Sequence, residues 1–145
     1  NGPEQATLEK RSQELGLGDR VKFIPAVSYE QMPQYFSLFH VLVLPSITTQ
    51  RWKEQFGRVL IEAMACGIPV IGSDSGEIPR VIGGAGLIFP EGNITRLVQN
   101  LQLIYSNPAQ ARKFSQLGRS RAKALFTNEK IAERLESFFK KITTT

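Results

Sequence analysis

Two carboxylates, Glu54 and Glu62, sit eight residues apart around Phe56-Gly57-Arg58-Val59. If both were helical they would be separated by roughly 12 Å along the axis. A carboxylate pair that shares one glycosidic bond as acid and base needs about 5 to 9.5 Å. The spacing therefore suits a ligand with polar groups spread along its length, such as a sugar at one end and a ribose further along. Between the two acids lies a helix start, whose unpaired backbone N–H groups make a seat for an anion. Gly57 lets a ligand approach the main chain closely. Simpler roles stand beside these. Glu62 follows Arg58 by four residues, an exposed helix pair worth about 0.2 to 0.5 kcal/mol, and Glu54 complements the helix dipole for about 0.3 to 1 kcal/mol.

The elements that must position these residues can be read from hydrophobic period. Phe56, Val59, Leu60, Ala63 and Met64 recur at helical spacing, Cys66-Gly67 ends the helix, and Ile68 to Gly72 is a short apolar run of the kind a buried strand shows. Upstream, Pro3 starts a helix through Leu8 and Leu15 to Gly16 or Gly18. Arg20 to Ile24 reads as a short strand ended by Pro25. Ser28, with Gln31 three residues on, opens a helix through Met32, Tyr35, Phe36 and Phe39. Val41 to Leu44 is continuously apolar, as in a strand covered on both faces of a parallel sheet. Residues 47 to 53 form a loop at its carboxyl end, where open α/β sheets bind ligands.

After the second strand, Ser73 to Pro79 is another such loop, leading to a short helix at Arg80 to Ile82 and a last strand at Leu87 to Phe89. Ser73 to Glu77 serves either ligand contact or helix capping. The remainder is helical: Ile94 to Tyr105, Ala109 to Phe126, and a segment opened by Thr127-Asn128 through Phe139. Strands alternating with helices predict an α/β, Rossmann-like parallel sheet with helices on both faces and a C-terminal helical tail. Gly83 to Gly86 lacks the spacing of a dinucleotide fingerprint.

Composition sets limits. The 145 residues fit one domain with a real core, and 41% hydrophobic with 21% charged residues is ordinary for a globular chain. No apolar run approaches the roughly 20 residues of a membrane span, and the polar Asn1-Gly-Pro-Glu4 is no secretory leader. A single cysteine, Cys66, excludes an internal disulfide, fits a reducing compartment and reads as a packing residue. His40 has no Cys or His cluster around it, so no metal site is expected. Of the eighteen Lys and Arg, nine lie in residues 111–145 against three Glu, so the net charge of +5 belongs to the C-terminal helices. Nucleic-acid motifs with aromatic interleaving are missing. A solvated helical face explains the basic stretch, and peripheral attraction to anionic lipid stays open.

The 54–72 segment resembles the Glu-x7-Glu signature of the retaining nucleotide-sugar glycosyltransferases of family 4, in the C-terminal domain of the GT-B fold. The likeness extends to Phe56-Gly57, to Glu62-Ala-Met-Ala-Cys-Gly67 and to Pro69-Val-Ile. It implies that Glu54 is the catalytic residue meeting donor-sugar hydroxyls, and that Glu62 binds the donor's ribose. Phe56, Gly57, Arg58 and Val59 would lend main-chain amides to sugar and phosphate. Ser46 belongs to the Pro-Ser that commonly precedes the first Glu, and Gly76 and Glu77 to a turn facing the donor. Pro25, Val27 and Ser28 would rest against the base.

The same resemblance makes Asn1-Gly-Pro the tail of a Gly-x-Gly-Pro turn. It would leave the first strand, the phosphate-binding Arg and Lys and the N-terminal acceptor domain upstream. Residues 1–145 would then be a single donor-binding domain, inactive alone, needing no metal or other cofactor, in a bacterial-type enzyme. Its setting would be the cytoplasm or the inner face of the membrane. The partners implied are a nucleoside diphosphate sugar and, through the other domain, an acceptor. The residues also support two rival functions: a non-catalytic nucleotide-binding or regulatory α/β module, and an interaction or membrane-docking domain using Arg119, Arg121 and Lys123.

Overall fold

A computed structural model describes residues 2–143. They fall into two compact units, one running to Gln34 and the other starting at Tyr35. The first contains α1 (Gln5–Glu14) and two short 3-10 turns, Gly18–Arg20 and Tyr29–Gln31. Asn1, expected in a Gly-x-Gly-Pro turn, lies outside the described residues. Pro3 precedes the helix by two positions, and Gly16 follows it with φ +62°.

Two expectations for this unit are corrected. Arg20 to Ile24 is not a strand: Val21 is extended (φ −116°, ψ 122°), but it pairs with no strand among the described residues, and Val21, Phe23 and Ile24 stay exposed. Alternation makes a strand only where a ladder partner exists. Ser28 does not form a capping box either. It is extended, with no side-chain cap bond, and it leads into the 3-10 turn and a five-residue helix, α2 (Met32–Phe36), rather than one long helix.

The second unit is built on a parallel three-stranded sheet: β1 (Leu42–Leu44), β2 (Val70–Ser73) and β3 (Leu87–Phe89), in that spatial order. Leu42 pairs with Val70, and Ile71 with Leu87. Period-two alternation divides the strands between two helical layers. Ile71 and Phe89 pack with Ile104 of α5 (Ile94–Ser106) and Phe114 of α6 (Pro108–Leu125), with Val41 and Val43 beside them. On the opposite face, a Cβ at Gly72 would strike Ile78 and Ile82 of α4 (Ile78–Ile82), and Leu44 approaches Gly57 at the start of α3 (Arg58–Ala65). Both faces are thus covered, as expected for a parallel sheet.

Helix α3 begins two residues later than its apolar pattern implied, because Gly57 is left-handed (φ +70°, ψ 47°) and ends the incoming loop. Leu60, Ala63 and Met64 are buried, Val59 is half-buried, and Phe56 lies outside the helix. Phe114, Gly118 and Ala122 form the buried stripe of α6, and Gly118 lets that helix close on Met64. Asn93 and Asn107 cap α5 and α6 by accepting the N–H of Arg96 and Gln110 at 2.9 and 3.0 Å. The last helix, α7 (Asn128–Thr143), starts at Thr127, whose hydroxyl accepts the Lys130 N–H at 3.3 Å. Cys66 is exposed, so the packing role expected of it is not what it performs. It sits just past α3, on the turn that leads into the buried strand β2.

Candidate functional site

All three strands are parallel, so the loops that leave them emerge at one edge of the sheet. There the loop after β1 meets the loop after β2. Ser73, at the end of β2, donates its hydroxyl to the Ser46 carbonyl at 2.6 Å, and the Ser46 hydroxyl donates to Glu54 Oε2 at 3.1 Å. Glu54 Oε1 accepts the Gly57 N–H at 3.0 Å and the Phe56 N–H at 3.4 Å. Glycine at the N-cap of α3 has no side chain to offer, and the Glu54 carboxylate instead closes the turn that leads into the helix, leaving the first-turn amides uncapped by any side chain.

The main chain of Glu54 is held from the other loop. Gly76 adopts φ +54°, and a Cβ placed on it would stand 1.9 Å from the Glu54 carbonyl oxygen. The Glu77 N–H donates to that same oxygen at 3.2 Å. Ser46, Glu54, Gly57, Gly76 and Glu77 are therefore one assembly. A cleft of about 330 Å³ opens beside it, walled by residues 51 to 55 on one side and by Gly76 and Glu77 on the other.

The amides between the two acids are divided differently from the expectation. Those of Phe56 and Gly57 point at Glu54 and are not available to an anion while it stays there; those of Arg58 and Val59 meet no acceptor among the described residues. Glu62 lies on α3 with its side chain about one-quarter exposed, and Arg58 reaches its Oε1 at 3.7 Å. That is the exposed pair the i, i+4 spacing foretold, a minor contribution to stability. Glu77 pairs with Arg80 one turn along. Pro25, Val27 and Ser28 belong to the first unit, where Pro25 lines a groove of about 420 Å³ with Lys22, Phe23 and the start of α1.

A family model described as "Glycosyl transferases group 1" matches residues 1–121. The chain belongs to the group 1 glycosyltransferases. It is 30% identical over 141 residues to the N-acetyl-alpha-D-glucosaminyl L-malate synthase of Bacillus anthracis, covering 96% of this chain and 35% of that protein. It superposes on a sucrose-phosphate synthase from Thermosynechococcus elongatus with a TM-score of 0.84 at 36% identity, covering 99% of this chain and 35% of the other. It also matches Anabaena HepE in complex with UDP, with a TM-score of 0.79 at 26% identity, covering 92% of this chain and 38% of that one. The chain thus spans about a third of the length of these relatives. Its fold is the α/β, Rossmann-like half of a GT-B glycosyltransferase.

Several groups around the cleft of this glycosyltransferase domain escape a reading of the sequence. Glu91, after β3, accepts both the N–H and the hydroxyl of Thr48, at 2.5 and 2.6 Å, and its own N–H donates to Asp74 at 2.8 Å. Thr48 also bonds the buried Ser75 hydroxyl at 2.9 Å. The Thr48 hydroxyl, then the Thr48 N–H, hold the Glu91 carboxyl below its usual range against an opposing effect of burial, with weaker help from Ser75 and the charge of Lys53. No local pattern marks Glu91, which is 43 residues from Thr48. Farther out, Arg121 of α6 donates to the carbonyls of Val81 and Arg80 at 2.8 and 2.7 Å, closing the C-terminus of α4. Its guanidinium stands 5.9 Å over the Phe126 ring, which meets Phe56 edge-on with centroids 6.1 Å apart. Among the described residues no helix is long and apolar enough to cross a membrane, and no group of three or more His, Cys, Asp or Glu is placed to hold a metal ion.

Proposed function

We propose that this chain is the nucleotide-sugar donor half of a retaining, family 4 glycosyltransferase that transfers a hexose to an acceptor hydroxyl. The observation that carries the reading is Glu54, fixed by side chain and main chain between two loops at the carboxyl edge of the sheet, with an open cleft beside it. Family membership and the likeness to a UDP-bound relative support it. Departure of a nucleoside diphosphate requires stabilised negative charge and an oriented sugar. The Arg58 and Val59 amides at the start of α3 would serve the first need electrostatically. Glu54, exchanging its Gly57 contact for a sugar hydroxyl, would serve the second, and Glu62, released from Arg58, would hold the ribose. No metal takes part in this scheme, and the acceptor arrives through a further domain, so the isolated chain should show no turnover. The full protein would work in the cytoplasm or at the inner face of the membrane.

Titration of the chain with several nucleoside diphosphates and their sugars tests the assignment. Wild type should prefer the sugar form, and Glu54→Gln should lose that preference while retaining affinity for the diphosphate. A charged hydrogen bond of about 1.5 to 3 kcal/mol corresponds to a loss of roughly 10- to 150-fold. Glu62→Ala should weaken both ligands alike. Equal wild-type affinity for diphosphate and diphosphate sugar would replace the transferase with a regulatory nucleotide-binding module.

A further inference from the structure

We infer that Arg51, Trp52 and Lys53 form a subsite for an anionic group on a sugar-bearing substrate, a phosphate or carboxylate held by the two cations while an adjoining ring packs on the indole. The inference rests on the cleft beside Glu54 being the donor site. Charge bookkeeping within that cleft is its first support. Two acids and two bases line it. Glu54 is engaged by the Ser46 hydroxyl and two amides, and Glu77 is paired with Arg80 outside the lining. Arg51 and Lys53 form no ion pair among the described residues; Lys53 acts only through space on Glu91. Glu77 is neutralised by Arg80, and the Glu54 carboxylate keeps its charge but turns its oxygens to the Ser46 hydroxyl and the two amides, so the Arg51 and Lys53 cations are the groups left to meet an anion that enters.

The second support is preorganisation. Thr49 and Trp52 close a tight turn: the Thr49 N–H donates to the Trp52 carbonyl at 2.8 Å, and the Trp52 N–H donates to the Thr49 hydroxyl at 3.1 Å. The Arg51 N–H reaches the same hydroxyl at 3.4 Å. Thr48 is clamped to Glu91 on one side, and Glu54 is locked on the other. A loop pinned at both flanks holds its indole half-exposed, at 50%, against the cleft wall. Holding a large aromatic face in water by an internally bonded turn, with a cation on either side, is an arrangement suited to a ligand with one flat or apolar face and one negative group. The ordering cost on binding is small because the turn is already made. Either end of the reaction has such a group: the diphosphate of the donor, or a phosphate or carboxylate on the acceptor.

Trp52 is the single tryptophan of the chain, so its fluorescence reports on this cleft. The test titrates UDP, a UDP-hexose, glucose 6-phosphate, glucuronate and neutral glucose against wild type and against Arg51→Gln/Lys53→Gln, with circular dichroism to establish that the variant folds. At least one anionic ligand should perturb Trp52 in a salt-dependent manner, and the double variant should bind it about tenfold or more weakly. Loss confined to UDP and the UDP-hexose identifies the donor diphosphate as the occupant; loss confined to the sugar acids identifies an anionic acceptor. Affinities unchanged within twofold for every anion, or no anion binding by wild type, overturns the inference. Binding of sugar acids but of no nucleotide by wild type would sink the donor assignment while leaving the anionic subsite standing.

Discussion

Gly76→Ala is the most informative single perturbation of this site, because it strikes the contact between the two loops without touching any side chain that would meet a ligand. Two costs add. A side chain at φ +54° costs about 1 to 2 kcal/mol. Its Cβ would also stand 1.9 Å from the Glu54 carbonyl oxygen, a backbone atom that cannot rotate away, so the loop must shift, at about 1 to 3 kcal/mol. The expected destabilisation is therefore about 2 to 5 kcal/mol. Gly84→Ala supplies the control: its φ is +81°, but nothing lies within 4 Å of the added carbon, so only the conformational cost applies. Thermal unfolding by circular dichroism should lower the Tm of Gly76→Ala by several degrees more than that of Gly84→Ala. Below its Tm, Gly76→Ala should also bind the nucleoside diphosphate sugar more weakly, because the displaced Glu54 carbonyl carries its carboxylate with it. Equal Tm shifts in the two variants, together with unchanged ligand affinity in Gly76→Ala, would refute the claim that the second loop positions the acid.

Arg121→Met should destabilise the chain by about 1.5 to 3 kcal/mol, since the Arg80 and Val81 carbonyls lose a charged donor; denaturant unfolding measures this. Glu91, with its folded-state carboxyl held below its ordinary range by the Thr48 hydroxyl and N–H, contributes stability that is present above the unfolded value and lost as pH falls through the folded one. Trp52 fluorescence should therefore change on acidification below the usual carboxylate range before global unfolding, and Glu91→Gln should remove that early change.

The layout of the second unit was legible because its signals are local and strong. Val41 to Leu44 and Ile68 to Gly72 are apolar runs bounded by Pro or Gly, and each lies within two residues of an observed strand. The helical periods at Ile94 to Tyr105 and Ala109 to Phe126 are observed as α5 and α6. The errors share a different physics. Arg20 to Ile24 has a strand's pattern, yet pairing is a property of two segments, and one segment's residues cannot reveal an absent partner. Within the site, the acids were found by type and spacing, but the closing of the Glu54 carboxylate onto the Phe56 and Gly57 amides was not, since Gly57 reads equally well as a hinge or as a bare helix start. Glu91, Ser75 and Arg121 act across 27 to 43 residues of sequence, where no periodicity reaches.

Ser46 and Glu54 are each fastened to β2 or to the loop beyond it, and to each other, so the two ends of the intervening strip are fixed independently of what lies between them. Lengthening a loop whose ends are already tethered is cheap, about 0.6 kcal/mol for each doubling. The strip can consequently be exchanged as a cassette: grafting a different run at 49–53 should change what lines the cleft while leaving Glu54 where it was.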